Sequence, residues 1–295
     1  MIEPRGARRV GVVAKAASAD AAGVARELVE WLDRRGLEVL VEPGTAREAG
    51  TPGDGPLVEG VRCDLVVVLG GDGTLLSVAR KAAGGPPILG VNLGHLGFLT
   101  EVARPELYPV LVEVLAGRYA VEPRSLLEVE HTKSAGEKVH FRALNDVVLA
   151  KSALSRMIEL LLTVDGKLVA RYRADGLVIS TPTGSTAYNL SAGGPILHPL
   201  LPVSVLTPIC PHTLTLRPLV VPNSSVIEVT IETRGDAFES RADRVYLTVD
   251  GQEGCELGFG DRVQVTRSSQ PAYLVRTGER SSIFEGLRNK LHWGE

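Results

Sequence analysis

The chain has too few cysteines and too little net charge for several common classes of protein. Its 295 residues include only three cysteines, Cys63, Cys210 and Cys255, which form neither a disulfide framework nor a zinc-binding spacing. The net charge of -3 and the pI of about 6.1 argue against a general nucleic-acid-binding protein. No apolar run reaches membrane-spanning length, and the N-terminus has no signal-peptide pattern. We therefore expect a cytoplasmic protein without a nucleic-acid or membrane partner.

Several familiar motifs of nucleotide-binding and hydrolytic enzymes are also missing. The sequence contains no G-x-x-x-x-G-K-[ST] P-loop, no G-x-G-x-x-G dinucleotide fingerprint, no H-E-x-x-H zinc motif and no G-x-S-x-G nucleophile elbow. If the protein binds phosphate groups, it must therefore do so with a different phosphate-binding loop.

The segment 65–76 is the most informative part of the chain. An apolar run over 65–69 predicts a strand buried on both faces, and a polar turn follows it at once: Gly70, Gly71, Asp72, Gly73 and Thr74. Glycines let main-chain N–H groups approach an anion, and Thr74 suits the start of a helix, whose N-terminus favours phosphate. A carboxylate there is costly unless it binds a metal or accepts a proton from an attacking hydroxyl. A kinase is the first hypothesis, and a plain strand-to-helix turn is the alternative.

The sequence pattern changes near residue 120, which predicts two domains and a terminal helix. Up to that point predicted strands alternate with helices, which indicates a parallel sheet: strands 9–14, 37–41, 65–69 and 87–92, helices 20–35, 75–83 and 105–116, and a surface loop over 44–60. Later segments alternate with period two and predict an all-β, sandwich-like domain: strands 126–131, 139–150, 157–164, 167–174, 225–233, 245–249, 261–266 and 272–276. Asp165-Gly166 and Asp250-Gly251 are hairpin signals. The predicted domains are 1–120, 121–277 and a helix over 278–295 that packs back on the first domain.

Three further segments have polar residues where a ligand could bind. Residues 175–188 run from a short apolar strand into a cluster of hydroxyl side chains with Pro and Gly, which suits a ribose or phosphate, or a capped turn. Asn92 follows the next strand of the parallel sheet, and neighbouring strand ends share one crevice, so it could face the same site as Asp72. Asn145-Asp146 interrupts an apolar strand pattern, which indicates a ligand contact or a local bulge.

These segments together make the resemblance specific. The motif of residues 70–74, the segments 92–99 and 175–191, the pair Asn145-Asp146 and the segment 208–214 occur in the order found in bacterial NAD kinases. The Gly-Gly-Asp-Gly motif alone is also similar to the phosphate loop of phosphofructokinases, diacylglycerol kinases and sphingosine kinases. The block 175–195 resembles NAD kinases much more specifically. The resemblance implies an α/β domain followed by a β-sandwich, an active site in the cleft between them, and a homodimer or homotetramer.

The resemblance also implies roles for individual residues. Asp72 matches the catalytic base, and the phosphate loop comprises Gly70, Gly71, Gly73, Thr74 and Asn92. Further residues match NAD-contacting positions: Asp72, Gly73, Asn145, Asp146, Arg156, Arg173, Asp175, Thr186, Ala187, Tyr188, Asn189, Leu190, Ser191, Cys210 and Gln252. Asp146 stands where glutamate is usual, and Cys210 stands where alanine is common.

The expected reaction is transfer of the γ-phosphoryl group of ATP to the 2′-hydroxyl of the adenosine ribose of NAD, which makes NADP. Mg²⁺ is expected to be held mainly by phosphates and water, without a dedicated set of protein ligands. A lipid or sugar kinase with the same glycine loop and a non-catalytic dinucleotide sensor are the alternatives. Polyphosphate in place of ATP, NADH in place of NAD, and feedback by NADP or NADPH are left open.

Overall fold

The chain divides into two units, one built from Met1–Arg124 with Pro271–Glu295 and the other from Ser125–Gln270. The structure is a computed structural model, and it describes residues 4–53, 63–94, 97–152, 157–213, 215–232, 244–277 and 283–291. Within these ranges no helix is both long and apolar enough to cross a membrane.

The first unit begins as an alternation of strands and helices. Its elements up to residue 124 are β1 Arg9–Ala14, α1 Ala19–Asp33, β2 Glu38–Val41, α2 Pro43–Ala49, β3 Leu65–Gly70, α3 Asp72–Lys81, β4 Ile88–Asn92, β5 Val102–Ala103, a 3₁₀ turn Arg104–Glu106, α4 Leu107–Leu115 and β6 Ala120–Arg124. Helix α1 has Ser18 as its N-cap, and it buries Val24, Leu28 and Leu32 against the sheet because they recur on one face.

The second unit consists almost entirely of strands. They are β7 Leu127–Thr132, β8 Lys138–Ala143, β9 Asp146–Lys151, β10 Ile158–Val164, β11 Lys167–Ala174 and β12 Gly176–Ser180, then a 3₁₀ turn Gly184–Thr186, α5 Tyr188–Ser191, β13 Val203–Ile209, β14 Leu219–Pro222, β15 Ile227–Ile231, β16 Val245–Val249, β17 Glu253–Leu257 and β18 Arg262–Arg267. The chain then returns to the first unit with β19 Ala272–Arg276 and α6 Ile283–Leu291.

The sheet of the first unit brings two strand ends next to each other. Its order is β2-β1-β3-β4-β19-β6, β1 to β4 are parallel, and Gly70 at the end of β3 pairs with Asn92 at the end of β4. The predicted parallel sheet is confirmed. Strand β19 lies within the range 121–277 that sequence analysis assigned to the β-domain, yet it pairs with β4 and β6 of the first unit. A five-residue apolar strand does not indicate which sheet it joins.

The segment predicted as a loop over 44–60 contains a helix, so that prediction was wrong for its first part. Glu42 caps α2 by accepting the N–H of Thr45 at 2.7 Å, Pro43 opens the helix and Gly50 ends it in a left-handed conformation. Proline at a helix start and glycine after its end are also loop signals, which explains the error. Residues 54–60 of the predicted loop lie outside the described residues.

The second unit is a two-layer sandwich, as predicted. One antiparallel sheet has the order β11-β10-β15-β18-β7-β8, the other has the order β14-β13-β12-β9-β16-β17, and both contribute apolar side chains to one core. Asp165-Gly166 and Asp250-Gly251 both have positive φ angles, of 51° and 72° and of 49° and 66°, as a type I′ hairpin turn requires. The predicted strand over 139–150 is divided at Leu144-Asn145, where the chain passes from one sheet to the other.

The C-terminal helix packs on the first unit. A Cβ atom on Gly286 of α6 would lie 3.9 Å from Cδ1 of Phe98, and the Lys290 ammonium lies 4.2 Å from the centre of the Phe98 ring. The prediction that this helix returns to the first domain is confirmed, and the described part of the helix spans Ile283–Leu291. Residues 278–282 and 292–295 of the predicted range lie outside the described residues.

Candidate active site

Asp72 is the first residue of helix α3, and its carboxylate is held by the loop that follows β4. The Phe98 N–H donates to Oδ2 at 2.7 Å, and the N–H groups of Leu99 and Thr100 donate to Oδ1 at 3.1 and 3.0 Å. The Thr100 hydroxyl donates to Oδ1 at 3.0 Å. The helix begins two residues earlier than Thr74, the predicted start, because Gly71 occupies the N-cap position. Asp72 is therefore fixed in place by four hydrogen bonds.

The loop reaches the carboxylate only because position 97 is glycine. A Cβ atom there would lie 1.9 Å from Asp72 Oδ1, a distance that no side chain tolerates. Asn92 extends the same network, since its Nδ2 donates to Thr100 Oγ1 at 2.9 Å and its Oδ1 accepts the Gly94 N–H at 2.7 Å. Asn92 thus lies one hydrogen-bonded side chain away from Asp72.

The two carboxylate oxygens of Asp72 accept different numbers of hydrogen bonds. Every described partner is a donor, which suits an ionised carboxylate. Oδ1 accepts three hydrogen bonds and has no capacity left, whereas Oδ2 accepts one. Oδ2 is therefore the atom that could take a proton from an attacking hydroxyl. Sequence reasoning missed the clamp by residues 98–100, although Gly97 was a visible signal for a close backbone approach.

In the second unit, Asp250 organises the predicted pair Asn145-Asp146. Its carboxylate accepts the backbone N–H groups of Leu144, Asn145 and Asp146 at 3.0, 2.7 and 3.1 Å. Asp250 is the first residue of the hairpin turn between β16 and β17, and Gln252, two residues later, is exposed in the same turn. The break in the strand pattern at Asn145-Asp146 is the crossing between sheets that Asp250 holds. Sequence reasoning treated the Asp250 turn only as a hairpin signal.

Asp146 is a buried carboxyl group with an unusual environment. It is 4% exposed, and burial, together with the negative charge of Asp250, raises its pKa from 3.8 to about 7, while the Tyr188 N–H opposes the increase by donating to it. The Asn145 amide beside it is half-buried, and no partner for it lies among the residues that the structure describes. Asn145 therefore has the freer side chain of the two for a ligand.

The hydroxyl groups of the block 175–188 mostly donate to backbone carbonyls of the second unit. Thr181 Oγ1 donates to the Leu144 carbonyl at 2.6 Å, and Ser185 Oγ donates to the Pro182 carbonyl at 2.7 Å. Asn189 is fully buried, and its side-chain amide is satisfied there: the nitrogen donates to two carbonyls and the oxygen accepts the Thr207 hydroxyl. Glycine is needed at 184, where a Cβ would lie 2.2 Å from the Asn145 carbonyl oxygen. Several residues of the block remain half-buried or exposed: Thr186, Ala187, Tyr188, Leu190 and Ser191.

The other predicted contacts lie at the opposite end of β12. Asp175 binds the Ile209 carbonyl through its N–H and forms an ion pair with Lys151, and Arg173 accepts the His212 N–H at its carbonyl. Cys210 follows Ile209 with a φ of 45° and is exposed. Asp175 precedes Ser180, which pairs with Asp146, by five residues of extended chain, so the two groups are about 16 Å apart. Some predicted residues lie outside the described residues: Arg156, His95, Leu96 and Leu214.

Replacing Asp146 with asparagine should remove a pH dependence of stability. Between about pH 4 and pH 7 the folded protein keeps the Asp146 proton and the unfolded chain loses it, so the wild type loses stability as pH rises through this window. Above pH 7 the effect is constant. Urea unfolding of both proteins from about pH 5 to pH 8 should show the wild type losing about 2–4 kcal/mol relative to Asp146→Asn, mostly below pH 7. Parallel stability profiles would contradict the assignment.

Comparison with known proteins connects the two units to one family. Residues 10–119 match the family model described as the ATP-NAD kinase N-terminal domain, and residues 144–277 match the ATP-NAD kinase C-terminal domain. The chain belongs to the NAD kinase family. It is therefore a transferase, a kinase of the class that phosphorylates NAD.

Full-length relatives and solved structures agree with this family. The chain is 47% identical over 292 residues to the NAD kinase of Geotalea daltonii, and 48% identical over 294 residues to that of Geobacter sulfurreducens, with 98% of this chain and 99% of each relative covered. Yeast NADH kinase complexed with NADH is similar with a TM-score of 0.86 and 31% identity, covering 98% of this chain and 88% of the yeast chain. An Archaeoglobus fulgidus NAD kinase in complex with ATP is similar with a TM-score of 0.73 and 29% identity, covering 96% and 98%.

Proposed function

We propose that this NAD kinase moves the γ-phosphoryl group of ATP to the 2′-hydroxyl of the adenosine ribose of NAD, with Asp72 as the proton acceptor. The observation that carries the proposal is the arrangement at Asp72, where four donors fix the carboxylate and leave capacity at Oδ2. In the reaction, the 2′-oxygen forms a bond to the γ-phosphorus, the bond to the leaving oxygen of ADP breaks, and the hydroxyl proton passes to Oδ2. Positioning and electrostatics account for most of the acceleration.

In the second unit we assign the adenosine contacts to the cluster around Asp250. Asn145 offers a half-buried amide, Asp146 a buried carboxyl group, and the turn with Gln252 an exposed amide side chain. Tyr188 and its neighbours in α5 supply further contact surface. NADH binding by the yeast structural relative supports NAD, NADH or both as the acceptor, and ATP binding by the archaeal relative supports ATP as the donor.

We propose that Mg²⁺ arrives with ATP and is held mainly by phosphate oxygens and water, where it offsets phosphate charge. No group of three His, Cys, Asp or Glu side chains suited to a metal occurs in the part of the chain that the structure describes. Arg173, near the end of β11, and Asp175, just before β12, lie at the end of β12 that is far from Asn145, which supports a homodimer or homotetramer in which they serve a neighbouring chain. A cytoplasmic location stays a prediction.

An acceptor lacking only the 2′-hydroxyl of the adenosine ribose should bind without being phosphorylated. We expect 2′-deoxy-NAD to compete with NAD and to accept no label from [γ-³²P]ATP, because the attacking oxygen is absent. Sphingosine, diacylglycerol and fructose 6-phosphate serve as further acceptors in the same assay. Labelling of 2′-deoxy-NAD at a rate near that of NAD would contradict the site of transfer, and a preferred lipid or sugar would favour the rival kinases. Binding of NAD without any transfer would identify a sensor.

A further inference from the structure

The C-terminal helix places a lysine beside the loop that clamps Asp72. The Lys290 ammonium lies 4.2 Å from the centre of the Phe98 ring, and the Phe98 N–H is the donor to Asp72 Oδ2 at 2.7 Å. Gly286, one turn earlier in α6, lies near the same ring, since a Cβ atom on it would be 3.9 Å from Phe98 Cδ1. The side chain is therefore set on a residue that directly contacts the proposed proton acceptor.

Among the residues that the structure describes, the charge of Lys290 is incompletely balanced. The side chain is half-buried, burial lowers its pKa, and the negative charges of Asp72 and Glu101 oppose that decrease. Glu101, however, has a closer cation, because it forms an ion pair with the Arg276 guanidinium. Among the described residues, no carboxylate approaches Lys290 within ion-pair distance. A partly desolvated ammonium group without a close anion is a favourable position for an anionic ligand.

A cation of the protein would add to Mg²⁺ in balancing the charge of a phosphate chain next to Asp72. Carboxylate and phosphate repel each other, and the N-terminus of α3 supplies only about half a positive charge. A lysine ammonium adds a full charge and three donors, and the face of Phe98 can orient it without using them. Lys290 has this chemistry and lies on the ring of Phe98, whose N–H binds Asp72.

We propose that Lys290 is a catalytic residue that binds an oxygen of the terminal phosphate of ATP on the Asp72 side. This inference rests on the proposed function, since it assumes that the phosphate chain lies at the Gly70–Thr74 loop. The competing interpretation is that Lys290 only fastens α6 to Phe98.

Three variants separate the two interpretations. Lys290→Met keeps a long side chain that can pack on Phe98 and removes the charge, and Lys290→Arg keeps the charge. Arg288→Met, at an exposed position of the same helix, removes an equal charge away from Phe98. For Lys290→Met we expect kcat/KM for ATP to fall about 30- to 300-fold, with NAD affinity within about twofold and the thermal midpoint nearly unchanged. Lys290→Arg should recover at least about a tenth of wild-type kcat/KM, and Arg288→Met should resemble the wild type.

The opposite results would overturn the inference. A Lys290→Met enzyme with wild-type kcat/KM for ATP would exclude the phosphate contact. Equal losses for ATP and NAD, together with a lower thermal midpoint, would assign Lys290 to fastening the helix. Calorimetry of ATP binding to the wild type and to Lys290→Met measures how much the contact contributes to ATP affinity, without requiring turnover. If the wild type bound ATP but did not phosphorylate NAD, the proposed function would fail, while a weaker ATP affinity of Lys290→Met would still support the contact.

Discussion

The variant Asp72→Asn is expected to lower kcat by about two to four orders of magnitude while NAD binds with nearly unchanged affinity. The substitution removes the group that receives the ribose hydroxyl proton. It leaves the Asn145 and Asp146 region of the second unit intact. Steady-state rates with saturating ATP, together with NAD binding by calorimetry, test both parts of this expectation.

The clamp around Asp72 requires a control for local disturbance. Three donors bind Oδ1, so the amide oxygen of the new asparagine would occupy that position in Asp72→Asn. The amide nitrogen would then face the Phe98 N–H, and two hydrogen-bond donors would point at each other. Thr100→Val disturbs the same network by removing one donor to Oδ1, but it keeps the carboxylate. We expect Thr100→Val to cost no more than about tenfold in kcat. Turnover near the wild-type level in Asp72→Asn, or equal losses in both variants, would contradict the role of Asp72 as base.

The variant Asp250→Ala should destabilise the protein by about 3–5 kcal/mol and weaken NAD binding by at least about tenfold. Three backbone N–H groups, from Leu144 to Asp146, lose their acceptor in a buried environment. The loss also frees the segment that presents Asn145. Urea unfolding and NAD titration measure the two effects.

The first hairpin provides a matched control for Asp250. Asp165 also begins a type I′ turn, has a similar positive φ of 51°, and accepts a single exposed hydrogen bond, from the Val226 N–H at 2.8 Å. Asp165→Ala therefore carries the same backbone cost of alanine at positive φ, and we expect it to cost about 1–2 kcal/mol without affecting NAD binding. Similar losses in the two variants would show that turn conformation, rather than the three buried hydrogen bonds, explains the effect.

Local sequence signals predicted the parts of the fold that depend on neighbouring residues. The two Asp-Gly turns need positive φ angles, and the buried run over 65–69 needs no distant partner to be recognised as a strand. Asp72 was identifiable because it stands between glycines at the end of that strand. The clamp by Phe98, Leu99 and Thr100 was not predicted, because it joins residues that are 26 to 28 positions apart.

Other features depended on tertiary contacts that no local pattern encodes. Asp250 accepts the N–H of Asn145, which is 105 positions away in the sequence. The Asp250-Gly251 turn signal therefore gave no indication that the Asp250 side chain binds this segment. The hydroxyl groups of residues 180–185 suggested a ligand site, yet most of them bond to carbonyls of their own unit, because a loop packed between strands must satisfy its backbone internally. A binding loop and a well-packed structural loop have the same composition until their hydrogen bonds are known.

The position of the transferred phosphate tests the central claim most directly. Wild-type enzyme would be incubated with NAD and [γ-³²P]ATP, and the labelled product would be located by ³¹P NMR and by its use in an NADP-dependent dehydrogenase assay. The account predicts one product, labelled at the 2′-oxygen of the adenosine ribose, which Asp72→Asn forms far more slowly. Label at another position of NAD, or no transfer by a protein that binds both ATP and NAD, would contradict it.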